Sequence, residues 1–397
     1  MKNPKNPSDS NDARMNHLPK PAPLFLLVAG AKGAIGSTLA AALCALRKDP
    51  HSISPFLTTM DKFPLIGAAQ EIGFAGWDPS PRTMAESIEN HGVLPEKIWK
   101  PYGSDLGQIP VWAPPSAKDF TSYVKHLIQD IQRCNHMVPH SQMILVNLLP
   151  ACGQVDLTAC RDLITLYSMA DPASFPDLAY VMAAIHCGLP VINFTSNQVE
   201  LPPVVSEAVK GGVPLAGRDG KTGQTYLKVV LASALQARNL LVDGWYSLNI
   251  LGNEDGKNLA DPERATSKLA NKTEVLEEIL GYRVGKKYGT SSHIVRIDYY
   301  PPRADAKEAW DVVDFCGLFG MPMSLRINLL ARDSILATPL IIDLARWMAA
   351  LKMMGRAGLV PELAFFFKKP LGMNPPLNFQ DQIRRLNELE QESRPAQ

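Results

Sequence analysis

Leu24-Phe-Leu-Leu-Val28, running straight into Ala29-Gly-Ala-Lys-Gly-Ala-Ile-Gly36, decides how this chain folds. An apolar run of that length is too short to span a bilayer and suits a strand buried on both faces. Gly30, Gly33 and Gly36 then space as G-x-x-G-x-x-G, and Ser37 to Leu46 has the alanine-rich composition of a helix. Between a strand and a helix, small residues let backbone N–H groups and the helix N-terminus approach a pyrophosphate. Gly30, Gly33, Ala34, Ile35 and Gly36 are therefore candidate contacts to a dinucleotide. The spacing departs from G-x-G-x-x-G, so a tight structural turn is the competing reading; the position after a first strand favours the cofactor.

Outward from this turn, Ile53 to Thr59 has the spacing expected of the next parallel strand, and residues 77–119 are rich in prolines and loop signals. A helix is predicted from Phe120 to Cys134, and Met143 to Leu149 reads as a buried strand polar only at Asn147. A helix carrying Tyr180 to His186 ends at Gly188, and Val191 to Phe194 returns as a strand. This alternation predicts an α/β fold with a Rossmann-type, doubly wound parallel sheet. A carboxylate beyond its second strand would take a ribose hydroxyl, and both Asp61 and Asp78, in Gly76-Trp-Asp78, qualify by position. From Tyr226 the texture changes to a helix, a strand at Val242 to Ile250, a polar loop, a lysine-bearing helix and a strand at His293 to Tyr300, a smaller α/β domain. After Arg332, helical patterns resume and are expected to pack back on the first domain. The reading divides the chain into a tail (1–22), a dinucleotide-binding domain (23–225 with 330–372), the smaller domain (226–329) and a C-terminal tail (373–397).

At 397 residues the chain can bury two sizeable cores. A formal net charge of +1 gives no global attraction to nucleic acid or an anionic membrane, and neither is expected as a partner. The six cysteines form no CxxC pair and the histidines lie far apart, so free thiols in a reducing, cytoplasmic setting are expected, without a metal cluster.

The chemistry is carried by lysines. Lys268 and Lys272, in Ser267-Lys-Leu-Ala-Asn-Lys272, share one face of a helix. Two ammonium groups about 6 Å apart repel by roughly 3 kcal/mol at an effective dielectric near 20, enough to bring one amine's titration towards neutrality. From spacing alone, a solvated helix face is the commoner reading. Lys307 lies just beyond a predicted strand, in Asp305-Ala-Lys307, and Lys368 follows three phenylalanines that would bury its stem. Asp219, in Gly217-Arg-Asp-Gly-Lys-Thr-Gly223, opens a helix, and Asn249 and Asp255 stand at a strand exit, where α/β enzymes place polar groups.

These blocks, with Gly223-Gln-Thr225, Asn249-Ile-Leu-Gly-Asn253, Arg332-Asp-Ser-Ile-Leu-Ala337 and Lys368-Lys-Pro370, resemble the inositol-1-phosphate synthase family, also called inositol-3-phosphate synthase, over Tyr180 to Pro370 in the same order. The glycine turn and Gly76-Trp-Asp78 extend the resemblance towards the N-terminus. It implies that Lys268, Lys272, Lys307 and Lys368, with Asp219, are catalytic. It also implies NAD contacts from Gly30, Gly33, Ala34, Ile35, Gly36, Asp78, Asn147, Asp219 and Asp333, and substrate contacts from Ser196, Asn197, Asn249 and Lys272. Arg218, Ala304 and the Asn147-Leu-Leu-Pro150 stretch depart from the family pattern.

The implied reaction takes glucose 6-phosphate to inositol phosphate without net redox change. Oxidation at carbon 5 acidifies carbon 6, the enolate closes on the carbon-1 aldehyde, and the ketone is reduced again. The resemblance further implies a homotetramer built through the smaller domain, and a divalent or monovalent cation requirement that differs among members. A sugar-phosphate dehydrogenase, a synthase for another hexose phosphate and a silent NAD-binding regulator are the alternatives; the first would accumulate NADH.

Overall fold

The computed structural model describes residues 21–153, 156–157, 159–259 and 275–394. Its strands are β1 (Leu24–Ala29), β2 (Gly73–Trp77), β3 (Val111–Trp112), β4 (Gln142–Asn147), β5 (Val191–Asn193) and β6 (Pro214–Gly217). There follow β7 (Leu241–Leu251), β8 (His293–Tyr299), β9 (Ala306–Cys316), β10 (Pro322–Arg332) and β11 (Gly358–Leu359). The main helices are α1 (Ala34–Lys48), α2 (Met84–His91), α3 (Phe120–Met137), α4 (Asp177–His186), α5 (Pro202–Lys210), α6 (Gln224–Ala237), α7 (Asp333–Met353) and α8 (Phe379–Glu392).

One sheet runs β11-β6-β5-β4-β1-β2-β3 with every pairing parallel. The order 3-2-1-4-5-6 within it reverses between β1 and β4, which opens a crevice at the strand exits. The alternation along β1 feeds two cores. Leu24, Leu26 and Val28 join α1 and α7, whereas Phe25, Leu27 and Ala29 face α3 and α4. α7 is long and apolar enough to cross a membrane, but it packs on β1, β4, β5 and β6 inside the protein.

The second strand is not where the spacing put it. Residues 50–56 form two 3-10 turns, because Pro50 and Pro55 withhold ladder donors. The partner of β1 is instead Gly73–Trp77, in which a Cβ on Gly76 would sit 2.1 Å from the Val28 carbonyl oxygen. The displaced segment docks on α7. Asp343 accepts hydrogen bonds from the N–H and hydroxyl of both Thr58 and Thr59, and the Arg346 guanidinium donates to the carbonyls of Thr59, Lys62 and Gly67.

The second sheet runs β10-β9-β7-β8, antiparallel except for β7 with β8. β9 and β10 escaped the sequence reading because charged residues such as Asp311, Asp314 and Arg326 interrupt their apolar alternation. One face packs on α6 and on residues 275–284. The other leaves Tyr246, Ile294, Trp310 and Leu330 exposed.

α8 buries Leu386 and Leu389 against the first core. It also supplies Gln382, whose Oε1 accepts a hydrogen bond from Lys221 Nζ at 2.9 Å, while the Ala364 carbonyl accepts another at 3.1 Å. Burial pushes the Lys221 ammonium down to about 7. An unfolded lysine titrates near ~10.4, so between these values the unfolded chain binds more protons and stability rises with pH, by at most about 1.4 kcal/mol per pH unit. Below the folded value both states are charged and the slope vanishes. Lys221→Met is expected to lose this rise between pH 7 and 9 in urea unfolding; a slope equal to the wild type's would show that Lys221 stays charged when folded.

Candidate active site

The glycine turn sits at the crevice. The N–H groups of Gly30 and Ala31 both donate to the Trp77 carbonyl, Gly30 takes φ +84°, and a Cβ there would lie 3.0 Å from the Leu148 carbonyl oxygen. A Cβ on Gly36 would meet the carbonyl oxygens of Gly30 and Ala31 at 2.6 Å. Only glycine fits this cradle. Gly33 caps α1 with no side chain, so the first-turn N–H groups around Ala34, Ile35 and Gly36 have no side-chain acceptor at the cap, as an anion-binding helix start requires.

Asp78, not Asp61, follows β2. Its Oδ2 accepts from the Lys32 N–H at 2.8 Å and its Oδ1 from the Ser80 N–H at 2.9 Å. A carboxylate has about four acceptor positions, so two held this way leave room for a ribose diol. The residues present thus fit a dinucleotide. Asp61 belongs to the segment docked on α7, away from any strand exit, because residues 50–56 form 3-10 turns in place of a strand.

Two lysine–carboxylate pairs meet around residues 217–223. Lys307 lies opposite Ala331 in the β9–β10 register, which brings it beside Asp333, the first residue of α7. Lys307 Nζ reaches Asp333 Oδ2 at 2.9 Å, and the Thr222 hydroxyl donates to Oδ1 at 2.9 Å. Burial works to raise the Asp333 carboxyl, but the ammonium groups of Lys307 and then Lys368, with the Thr222 hydroxyl, outweigh it and hold the group far below the usual carboxylate range. Lys368 Nζ bonds Asp219 Oδ1 at 2.6 Å. A short antiparallel ladder delivers that pair. Lys221 and Arg218 donate their N–H groups to the Phe366 and Lys369 carbonyls, and Lys368 and Leu371 donate theirs to the Asp219 and Gly217 carbonyls. Asp219 itself adopts φ +63°, a region aspartate enters more readily than most residues. Its N–H donates to the Thr195 carbonyl at 2.8 Å, so the pair is also tied to the loop after β5.

Two expected substrate contacts have unused hydrogen-bonding groups. Among the described residues, Asn249, fully buried on β7, has neither amide atom paired, and the buried Ser196 Oγ has no hydrogen-bond partner. Such groups cost free energy unless something else satisfies them. Asn147 and Asn197 differ. Both donors of each amide are committed, Asn147 to Asp177 and Asn193, and Asn197 to Asp177 and the Pro150 carbonyl. Their side chains hold neighbouring loops together, because burial at adjacent strand exits gives each amide a protein partner. Lys268 and Lys272 lie outside the described residues, as does the side chain of Asp255. The sequence reading missed Thr222 and Asp177, which stand just before and at a helix start, a position where hydroxyl and carboxylate side chains carry a signal.

Fold and cleft together define a doubly wound, dinucleotide-binding enzyme whose reactive cleft is lined by lysines held on carboxylates. The myo-inositol-1-phosphate synthase family model matches residues 223–334. Inositol-3-phosphate synthase 1 of Bacteroides thetaiotaomicron is 32% identical over 388 residues, covering 88% of this chain and 89% of that protein. The chain belongs to the inositol-3-phosphate synthase family. Its fold is shared with the inositol-3-phosphate synthase of Caenorhabditis elegans, at a TM-score of 0.83 and 20% identity over 94% of this chain and 86% of that one. A myo-inositol-1-phosphate synthase-related protein of Thermotoga maritima follows at 0.73 and 20%, over 94% and 98%.

Proposed function

We propose that this enzyme converts D-glucose 6-phosphate to 1D-myo-inositol 3-phosphate with NAD and no net redox change, the first step in making inositol for phospholipids. The observation that carries the reading is the convergence of Lys307–Asp333 and Lys368–Asp219 on one loop, through Thr222. Bound NAD supplies a reversible hydride acceptor, held by the glycine cradle and Asp78. The chain's own residues manage charge on oxygen. Lys307 stabilises the aldehyde oxygen as it becomes alkoxide, and the Lys368 ammonium stabilises negative charge on the carbon-5 oxygen while that carbon is oxidised and later reduced. Asp333 and Asp219 aim these ammonium groups through the pairs Lys307–Asp333 and Lys368–Asp219. Ser196 and Asn249 offer the substrate their unused donors and acceptors, and Lys268 and Lys272 complete the set by family resemblance.

The exposed apolar face of the second sheet supports assembly into a homotetramer. All six cysteines are free, which supports a cytoplasmic location, with neither nucleic acid nor membrane as partner. A divalent or monovalent cation completes the cofactor set where one is required; among the described residues no three His, Cys, Asp or Glu side chains converge. Incubation with glucose 6-phosphate and NAD+, followed by phosphorus NMR and NADH absorbance, tests the reading. A new inositol phosphate resonance without net NADH is expected. Stoichiometric NADH with no cyclic product would make this a sugar-phosphate dehydrogenase.

A further inference from the structure

A carboxylate outside the reacting cleft organises one wall of it. Asp177, the first residue of α4, is 1% exposed. Its Oδ1 accepts from Asn147 Nδ2 at 2.7 Å and from Asn197 Nδ2 at 3.0 Å. Asn147 ends β4, and Asn197 lies on the loop after β5, so one oxygen ties together two adjacent strand exits. The ties continue outward. Asn193 accepts from Asn147 at 3.0 Å and donates to the Asn197 carbonyl at 2.8 Å. Asn197 also donates to the Pro150 carbonyl at 2.9 Å and accepts from the Cys152 N–H at 3.1 Å.

Both loops border the cleft. The loop after β4 begins at Leu148, whose carbonyl lies against Gly30 of the glycine turn. The loop after β5 carries Ser196 and, through the Thr195 carbonyl, holds the N–H of Asp219. Burial pushes the Asp177 carboxyl up, and the amide donors of Asn147 and Asn197, with the N-terminus of α4, work against that rise. Such an arrangement fixes orientation, because each amide has its donors and its acceptor assigned.

We propose that Asp177 is a positioning residue for cofactor binding, which sets the Leu148–Cys152 and Thr195–Asn197 walls of the dinucleotide cleft through the amides of Asn147 and Asn197. The inference rests on the NAD reading above and goes beyond it. In Asp177→Ala both amides lose their common acceptor and the two walls uncouple. Asp177→Asn keeps one carbonyl oxygen for the same two donors.

The test is equilibrium binding of NAD+ to the full-length protein, by calorimetry, alongside kcat and KM below the unfolding temperature. Asp177→Ala and Asn197→Ser are each expected to weaken NAD+ binding about ten- to a hundredfold. Asp177→Asn is expected to recover most of that loss, and Asp177→Ala to add little in the Asn197→Ser background. Should Asp177→Ala fail to fold, Asn197→Ser and Asp177→Asn carry the test. Wild-type affinity in the variants, with only a lowered melting temperature, would overturn the inference and leave the NAD reading standing. A wild-type protein that binds no NAD+ would overturn both.

Discussion

Lys307→Met is expected to lower kcat by about 10²–10³-fold while leaving NAD+ affinity unchanged. Removing one fixed donor from a developing oxyanion costs roughly this much, and methionine keeps the length and apolar stem of lysine without the charge. A second consequence is separable from turnover. The Asp333 carboxyl is held far below its ordinary value in the folded protein, against the pull of burial, chiefly by Lys307. A carboxyl depressed on folding contributes stability above its unfolded value near ~3.9, and that contribution drains away as pH falls towards the folded value. Lys307→Met therefore shrinks the depression and shifts acid unfolding to higher pH. Circular dichroism during acid titration reads that shift, and single-turnover kinetics reads the loss of rate. Unchanged acid unfolding would mean that Lys368 and Thr222 alone keep Asp333 ionised.

Lys368→Met is expected to match that loss of turnover, again about 10²–10³-fold, with a larger effect on folding stability. Its partner Asp219 is buried, with its side chain 5% exposed against 29% for that of Asp333. Stranding a buried charge costs about 3–5 kcal/mol, whereas removing both charges is often close to neutral. The double variant Lys368→Met with Asp219→Asn should therefore regain most of the stability and none of the activity. The ladder through the Lys368 N–H and the Asp219 carbonyl, at 2.7 Å, is backbone and survives both changes. Recovery of turnover in the double variant would reduce Lys368 to a counter-ion for Asp219.

Periodicity and residue type located much of the fold. Leu24 to Val28 could be nothing but a doubly buried strand, and the glycines after it could close only a turn into a helix. The second strand was misplaced because local spacing does not register a missing donor. Ile53 to Thr59 has strand-like apolar residues, yet Pro55 within it and Pro50 just before it exclude it from a ladder that the glycine-rich Gly73–Trp77 can join. That error carried Asp61 along as a rival to Asp78, and only the observed pairing of β2 with β1 separated them. β9 and β10 were missed because Asp311, Asp314 and Arg326 break their apolar alternation, and β10 fully buries none of its residues.

Composition and spacing on their own pointed to the α/β class and the glycine turn after the first strand, and the family resemblance singled out the lysines. The first two are properties of local covalent geometry and of which side chains water rejects. Tertiary structure decided which lysine meets which carboxylate. Lys307 finds Asp333 through a hairpin register, and Lys368 finds Asp219 across 149 residues through a backbone ladder. It also decided that Asn147 and Asn197 spend their amides on Asp177. Such pairings depend on long-range contacts that a local pattern does not encode, because an ammonium or an amide takes its role from the partner that burial places beside it.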